Sequence, residues 1–237
     1  MSAIEAILYH MLGDLFNNPF TFFSWLIALV VAITIHEFSH AYAADRLGDP
    51  TPRVQGRLTL NPLAHLDPIG TLLLIVAHFG WGKPVVFDPF NLRHPRRDAA
   101  IISLAGPVSN LLLAGALSLV LRIVLAYHTV MFAGQIGPLA GFIITGLLQT
   151  VIVLNVVLAV FNLVPIHPLD GFKIVGGILP REYAEQWYEL EPYGIIFLIF
   201  LIFPFFGGVA PISHFMTPLV NFFLSLFLPG AGNTGII

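Results

Sequence analysis

Long apolar runs separated by short polar stretches dominate this chain. The first run begins near Phe20 and continues to about Ala44, and its first charged residue is Glu37. Two more long runs cover about residues 99–126 and 138–164, and each exceeds the roughly 20 residues that a helix needs to cross a bilayer. The pattern predicts an all-α polytopic membrane protein, with about five to six transmembrane helices once the less regular runs are counted.

The less regular runs lie at residues 69–79 and 193–228. The first is apolar but short, and the second is interrupted by Pro and Gly, which predicts two short spans or a helical hairpin. Residues 1–19 contain Glu5 and Asp14 and lack a basic segment. We therefore expect an interfacial N-terminal segment rather than a cleaved signal peptide.

Composition and charge placement support a membrane protein. The chain is 57% hydrophobic and only 10% charged, whereas soluble domains carry about a quarter charged residues. The basic residues flanking the long runs are Arg46, Arg53, Arg57, Arg93, Arg96, Arg97, Lys173 and Arg181. Positive residues favour the cytoplasmic side. The runs at residues 20–44 and 138–164 should therefore end in the cytoplasm, and the run at residues 99–126 should start there. No basic run predicts a nucleic-acid partner.

Residues 66–90 have cytoplasmic flanks on both sides in this topology. The chain must therefore dip in and return, or contain a hidden second crossing. Residues 80–87 read GWGKPVVF, and their glycines, proline and β-branched residues favour extended backbone over helix. We expect a re-entrant β-hairpin-like element near the active site, with the crossing left as the alternative.

The sequence HEFSH at residues 36–40 ends the first apolar run. On a helix His36 and His40 lie on one face and can present two imidazoles to one metal ion. Glu37 is placed to reach a metal-bound water without being a ligand. Ionisable groups at membrane depth are functional candidates, and the chain has no cysteine, so a zinc site must use histidine and carboxylate.

Asp170 is the candidate third ligand. It follows the apolar run at residues 138–164, and Pro165, Pro168 and Gly171 break the helix there. Catalytic zinc usually takes three protein ligands, and the predicted topology brings Asp170 to the depth of the two histidines. The alternative is that Asp170 caps a helix beginning at Gly171.

Several other polar residues lie close to these in the sequence. Asn162 is expected either to bind the substrate carbonyl or to be a satisfied polar residue in helix packing. Asn110 is expected to form an interhelical hydrogen bond near the site. His167 is expected either to support the metal site or to lie in a solvated loop. The histidines without ligand spacing are expected to be structural or interfacial: His10, His65, His78, His94, His128 and His214.

Three motifs together resemble the site-2 protease family of intramembrane zinc metalloproteases. They are HEFSH at 36–40, AGPVSN at 105–110 and NLVPIHPLDG at 162–171, and the resemblance covers about residues 20–180. The segments at 56–71 and 80–100 resemble the small bacterial and archaeal branch, which lacks PDZ and CBS domains. His167 departs from the pattern, because a proline or small apolar residue is more usual there.

The resemblance implies one Zn²⁺ per chain, held by His36, His40 and Asp170. It implies Glu37 as the catalytic base and Asn162 near the substrate carbonyl. It also implies hydrolysis of peptide bonds in or near transmembrane segments of other membrane proteins, at a site near the cytoplasmic side of the cell membrane. The expected division is an interfacial segment at 1–19, a catalytic membrane core at 20–180 and a C-terminal membrane hairpin at 181–237. Substrate, trigger and any homo-oligomer are left open.

Two other function classes use similar side chains. A metal-ion transporter or channel with the same His and Asp ligands would need several ionisable residues along a path, but here they cluster at one depth. A di-iron membrane oxidase would need many clustered histidines, and the remaining histidines are scattered. A protease is therefore favoured.

Overall fold

The computed structural model describes residues 18–77, 81–127, 137–203 and 210–229. Within these ranges the helices are α1 (Pro19–Leu47), α2 (Thr51–Val54), α3 (Pro68–Ala77), α4 (Pro95–Ala126), α5 (Gly137–Asn162), α6 (Asp170–Ile178), α7 (Arg181–Tyr188), α8 (Gly194–Ile202) and α9 (Pro211–Phe227). Nearly all of the expected interfacial segment lies outside them, as do His10, His78, His128 and Gly80.

Three helices are long and apolar enough to cross a membrane, namely α1, α4 and α5. They correspond to the three long runs of the sequence, and α9 is a shorter apolar helix of 17 residues. The predicted all-helical membrane class is therefore confirmed. The number of five to six spans stays a prediction.

α1 and α4 lie side by side in opposite directions. Asn110 donates a hydrogen bond to the Ala32 carbonyl oxygen, and His40 bonds the Ile102 carbonyl oxygen. Moving from residue 40 to 32 on α1 thus corresponds to moving from 102 to 110 on α4. The sequence predicts this relative direction from its arginines and lysines.

α5 runs parallel to α1. The rings of Phe20 and Phe142, near the starts of the two helices, have centroids 5.4 Å apart. Farther along, Asn155 of α5 contacts Asn110, which itself touches Ala32. An apolar core joins α4, α5 and α9: Ala114, Leu121, Ile152, Val156, Val160, Val220 and Leu224.

The two flanks of α3 are joined by backbone pairing. The helix has ten residues, so it spans only about 15 Å and is too short for a crossing. Leu66 and Gly82 form an isolated antiparallel bridge, and Lys83 donates its backbone N–H to the His65 carbonyl oxygen at 2.7 Å. The described part of the chain contains no strand, so the predicted hairpin is reduced to this pairing. Pro84 lacks the N–H that would continue a ladder.

Asp49 joins the end of α1 to the segment before α4. Its side chain is fully buried and accepts hydrogen bonds from Thr51, from the Asp88 backbone N–H and from the Asn91 side chain. Burial raises the pKa of this carboxyl, but the hydrogen bonds outweigh burial and lower the pKa below its ordinary value. The charged form therefore fixes this junction.

Replacing Asp49 with Asn should lower the free energy of unfolding at pH 7 by roughly 1–3 kcal/mol. The NH₂ group of the new amide cannot accept the hydrogen bonds that one carboxylate oxygen now accepts. An acid whose pKa is lowered in the folded protein stabilises the fold at pH values above its ordinary pKa of 3.8. This stabilisation is lost as the pH falls through the folded-state pKa. Urea unfolding in detergent micelles should thus give a higher free energy of unfolding for wild type than for the variant, and this difference should disappear in strong acid. Asp88→Asn is the control, because that side chain accepts only from the Phe90 backbone N–H. An advantage that persists in strong acid would contradict the charge argument.

Candidate metal centre

His36 and His40 project from one face of α1. Both are buried, and their rings lie edge to face with centroids 4.5 Å apart. The spacing of four residues produces this geometry, because it brings the two side chains one turn apart. The pairing predicted from HEFSH is confirmed as a structural fact.

Asp170 reaches the histidines from the other end of the sequence. α5 ends at Asn162, and the chain turns back so that Asp170 becomes the first residue of α6. Gly171 permits this approach, since a Cβ there would lie 2.4 Å from the Leu163 carbonyl oxygen. Leu169 is the N-cap of α6, with no side-chain cap hydrogen bond, so the helix-cap alternative for Asp170 is wrong.

The three side chains converge on one point. Asp170 Oδ2 lies 3.0 Å from His36 Nε2 and 3.1 Å from His40 Nε2. The other ring nitrogens are used elsewhere, because His36 Nδ1 lies 2.7 Å from Asn110 Oδ1 and His40 Nδ1 lies 2.7 Å from the Ile102 carbonyl oxygen. A carbonyl oxygen only accepts, so each Nδ1 carries a proton.

In the neutral imidazoles each Nε2 then presents a lone pair toward the carboxylate. The carboxylate of Asp170 likewise offers only acceptor atoms. Asp170 Oδ2 is buried without a hydrogen-bond partner. Three acceptor atoms thus face one another without a proton to share, and a cation relieves their repulsion. The donor set and its spacing fit zinc.

Gly106 of α4 leaves room for the two histidines. A Cβ at this position would lie 2.5 Å from His40 Nε2 and 2.6 Å from His36 Cε1. A Cβ does not approach non-bonded atoms this closely, so only glycine lets α4 cover the centre at this distance.

Glu37 lies beside the cluster and contacts the segment after α3. Its Oε2 accepts the Val85 backbone N–H at 2.9 Å. Buried Arg57 holds the same segment by donating to the carbonyl oxygens of Lys83 and Pro84. Burial lowers the pKa of Arg57, and the charge of Glu37 opposes that shift. Sequence reasoning assigned Arg57 only to membrane topology, and no sequence signal distinguishes it from the other flanking arginines.

Asn110 orients His36 and is itself held by α5. Its amide donates to the Ala32 carbonyl oxygen and to Asn155 Oδ1, while its own oxygen faces His36. Both asparagines are fully buried. The interhelical bond predicted for Asn110 is therefore present. Asn155 was missed, although an amide in the middle of an apolar helix is the signal that could have found it.

The remaining candidates lie apart from the cluster. Asn162 is partly buried and donates to the Leu158 carbonyl oxygen on its own helix. His167 packs on Phe172, and its Nδ1 is 3.6 Å from Glu191. His65 is fully buried and bonds the Thr59 carbonyl oxygen, which makes it structural.

Comparison with known proteins identifies relatives. The sequence profile described as Peptidase family M50 matches residues 24–203. YwhC of Bacillus subtilis (strain 168) is 40% identical over 197 residues, covering 83% of this chain and 85% of that protein. Rip2 of Mycobacterium tuberculosis (strain ATCC 25618 / H37Rv) is 32% identical over 179 residues, covering 73% of this chain and 63% of that protein. The names of both contain the words zinc metalloprotease. No solved structure matches significantly.

Replacing Gly106 with Ala should sharply reduce zinc content and lower the free energy of unfolding by roughly 1–3 kcal/mol, because the new methyl group overlaps both imidazoles. Metal analysis of the purified protein and thermal unfolding measure the two effects. The matched control is Gly115→Ala on the same helix, where the nearest atom to an added Cβ is Phe227 Cε1 at an ordinary 3.5 Å. Equal zinc content in both variants would refute the crowding argument.

Proposed function

We propose that this chain, which belongs to peptidase family M50, the site-2 protease family of intramembrane zinc metalloproteases, cleaves membrane-spanning segments of other membrane proteins. It is a zinc metalloprotease with helices that can cross a membrane. The observation that carries the proposal is the meeting of His36, His40 and Asp170 between such helices.

His36 and His40, through Nε2, and the carboxylate of Asp170 are proposed to hold the zinc. Bound zinc supplies a water of lowered pKa and a Lewis acid for the peptide carbonyl. Asn110 and the Ile102 carbonyl oxygen fix the tautomers of the two histidines. Hydrogen bonds of this kind orient metal ligands and raise their basicity.

Glu37 is proposed as the general base. The Val85 N–H fixes one oxygen of its carboxylate, which leaves the other oxygen to accept a proton from the attacking water. Glu37 then gives that proton to the leaving amine. Arg57 supports this step indirectly, because it holds the two carbonyls that precede Val85.

The substrate is proposed to lie along the segment after α3 in an extended form. A cavity of about 510 Å³ lies between Val85–Phe87 on one side and His167, Pro168 and Lys173 on the other. Among the described residues, the N–H and C=O of Val86 have no hydrogen-bond partner. They can pair with an added strand. A helical substrate must unwind here, since its scissile carbonyl is otherwise hydrogen-bonded within the helix.

This element is proposed to be re-entrant and to open on the cytoplasmic side. The bridge between Leu66 and Gly82 supports the first point, because it closes the element at its base. The arginines and lysines at this end of the long helices support the second. Asn162 is proposed to release Leu158 and bind the substrate carbonyl when a substrate enters.

A metal-ion transporter with the same ligands is not supported by a specific observation. In the ranges that the structure describes, His36, His40 and Asp170 form the one group of three such side chains that could hold a metal. A transport path would need several further ionisable residues along the membrane-spanning helices.

Glu37→Gln should keep its zinc but lose roughly 10²–10⁴-fold in the rate of peptide hydrolysis, because only the proton acceptor is removed.

Asp170→Asn should instead lose zinc affinity together with activity, since an amide is a poorer zinc ligand than a carboxylate. Metal analysis and cleavage of a model transmembrane substrate in proteoliposomes separate the two variants. Undiminished cleavage by Glu37→Gln would exclude this base, and full zinc affinity in Asp170→Asn would exclude this ligand.

A cysteine at Val85 should crosslink to a cysteine near the scissile bond of a substrate trapped by Glu37→Gln. The chain has no other cysteine, so each crosslink is unambiguous. Phe90→Cys is the control, because Phe90 is 97% exposed and does not line the cavity. Crosslinks that form equally well from both positions, or only to remote parts of the substrate, would contradict docking at this segment.

A further inference from the structure

A second cavity lies between the start of α4 and helices α6 and α7. Its volume is about 870 Å³. The charged residues that line it, here called the arginine cleft, are Arg93, Arg96, Arg97, Arg181 and Glu185. With His94 neutral, the lining carries a formal charge of plus three. The proposed hydrolysis uses Arg93, Arg97 and Arg181 as neither ligand, base nor substrate contact.

Among the described residues, Arg96 is the arginine of this cleft that has hydrogen-bond partners. Its guanidinium donates to the carbonyl oxygens of Gly176 and Leu179 at the end of α6. Arg93, Arg97 and Arg181 are exposed and, within the described chain, form no ion pair or side-chain hydrogen bond. Their mutual repulsion is unfavourable until an anion neutralises it. Guanidinium groups match phosphate in shape and donor geometry better than other cations do.

The cleft lies where a membrane-spanning helix begins. After Asp98, α4 has no charged residue until Arg122, so Arg97 marks the polar end of its apolar part. Ile101, Leu104 and Val108 follow Arg97 at helical spacing, and each is 40% exposed. An exposed apolar stripe thus leads from the cleft along the helix into the bilayer.

From these observations we infer that the arginine cleft binds the phosphate headgroup of an anionic membrane lipid, with the acyl chains along the apolar stripe of α4. The phosphate contacts Arg93, Arg97 and Arg181, and the stripe distinguishes a lipid from a soluble phosphate. Basic pockets at the ends of membrane helices are suited to such headgroups. Arg96 and Tyr188 also line the proposed substrate cavity, so the bound headgroup lies next to the entering substrate.

The test measures binding of fluorescent phosphatidylglycerol to the purified full chain in neutral detergent micelles. Unlabelled phosphatidylcholine and glycerol 3-phosphate serve as competitors. The variant is Arg97→Gln with Arg181→Gln. The matched control is Arg46→Gln with Arg53→Gln, which removes the same charge from the same predicted side of the membrane. Zinc content and thermal unfolding report on folding, and Arg97→Lys with Arg181→Lys keeps the charge if the glutamine variant is unstable.

The cleft variant should bind phosphatidylglycerol about tenfold more weakly than wild type, while the control changes by less than about twofold. The lysine variant should bind better than the glutamine variant. Phosphatidylcholine and glycerol 3-phosphate should displace the probe poorly. Equal losses in cleft and control variants, or equal binding of the two lipids, would overturn the site. Efficient displacement by glycerol 3-phosphate would overturn the lipid and assign the cleft to soluble phosphate.

Discussion

The repulsion among three lone-pair atoms, two imidazole nitrogens and one carboxylate oxygen, governs the arrangement of this protein. In its neutral form each histidine has already given its only ring proton to an acceptor, so neither donates a hydrogen bond to Asp170. A metal ion resolves the conflict, and the packing is organised to keep the three atoms facing it. Two acceptor oxygens on α4, from Asn110 and Ile102, set the tautomers of the histidines. Gly106 leaves room for the two rings, and Asn155 of α5 accepts a hydrogen bond from Asn110.

The extended segment after α3 needs partners for its backbone polar groups, and charged side chains provide them. Arg57 binds two successive carbonyls and Glu37 binds the next N–H, so the segment is held without a neighbouring strand. This leaves Val86 facing outward with both backbone groups unpaired. The hydrogen bond between the Val85 N–H and Glu37 thus positions the proposed base, and it leaves the backbone edge of Val86 available to the extended peptide proposed to bind there.

Local patterns were sufficient to predict the ligands and the three long helices. HEFSH is confined to one turn, and the broken helix around Asp170 is marked by its prolines and glycines, so both signals survive without tertiary information. Arg57 and Asn155 could not be assigned in this way. Their roles depend on which segment packs on them, and the sequence shows only a flanking charge and an isolated amide. The hairpin was overestimated because β-branched residues at 85–86 favour a strand, whereas Pro84 and the side-chain contacts prevent a ladder.

The order of the ligands along the chain has a consequence for biosynthesis. His36 and His40 enter the membrane with α1, but Asp170 is translated only after α4 and α5 have followed. A nascent chain therefore carries the histidines for some time without a complete ligand set. The metal centre can form only after α4 and α5 have been translated.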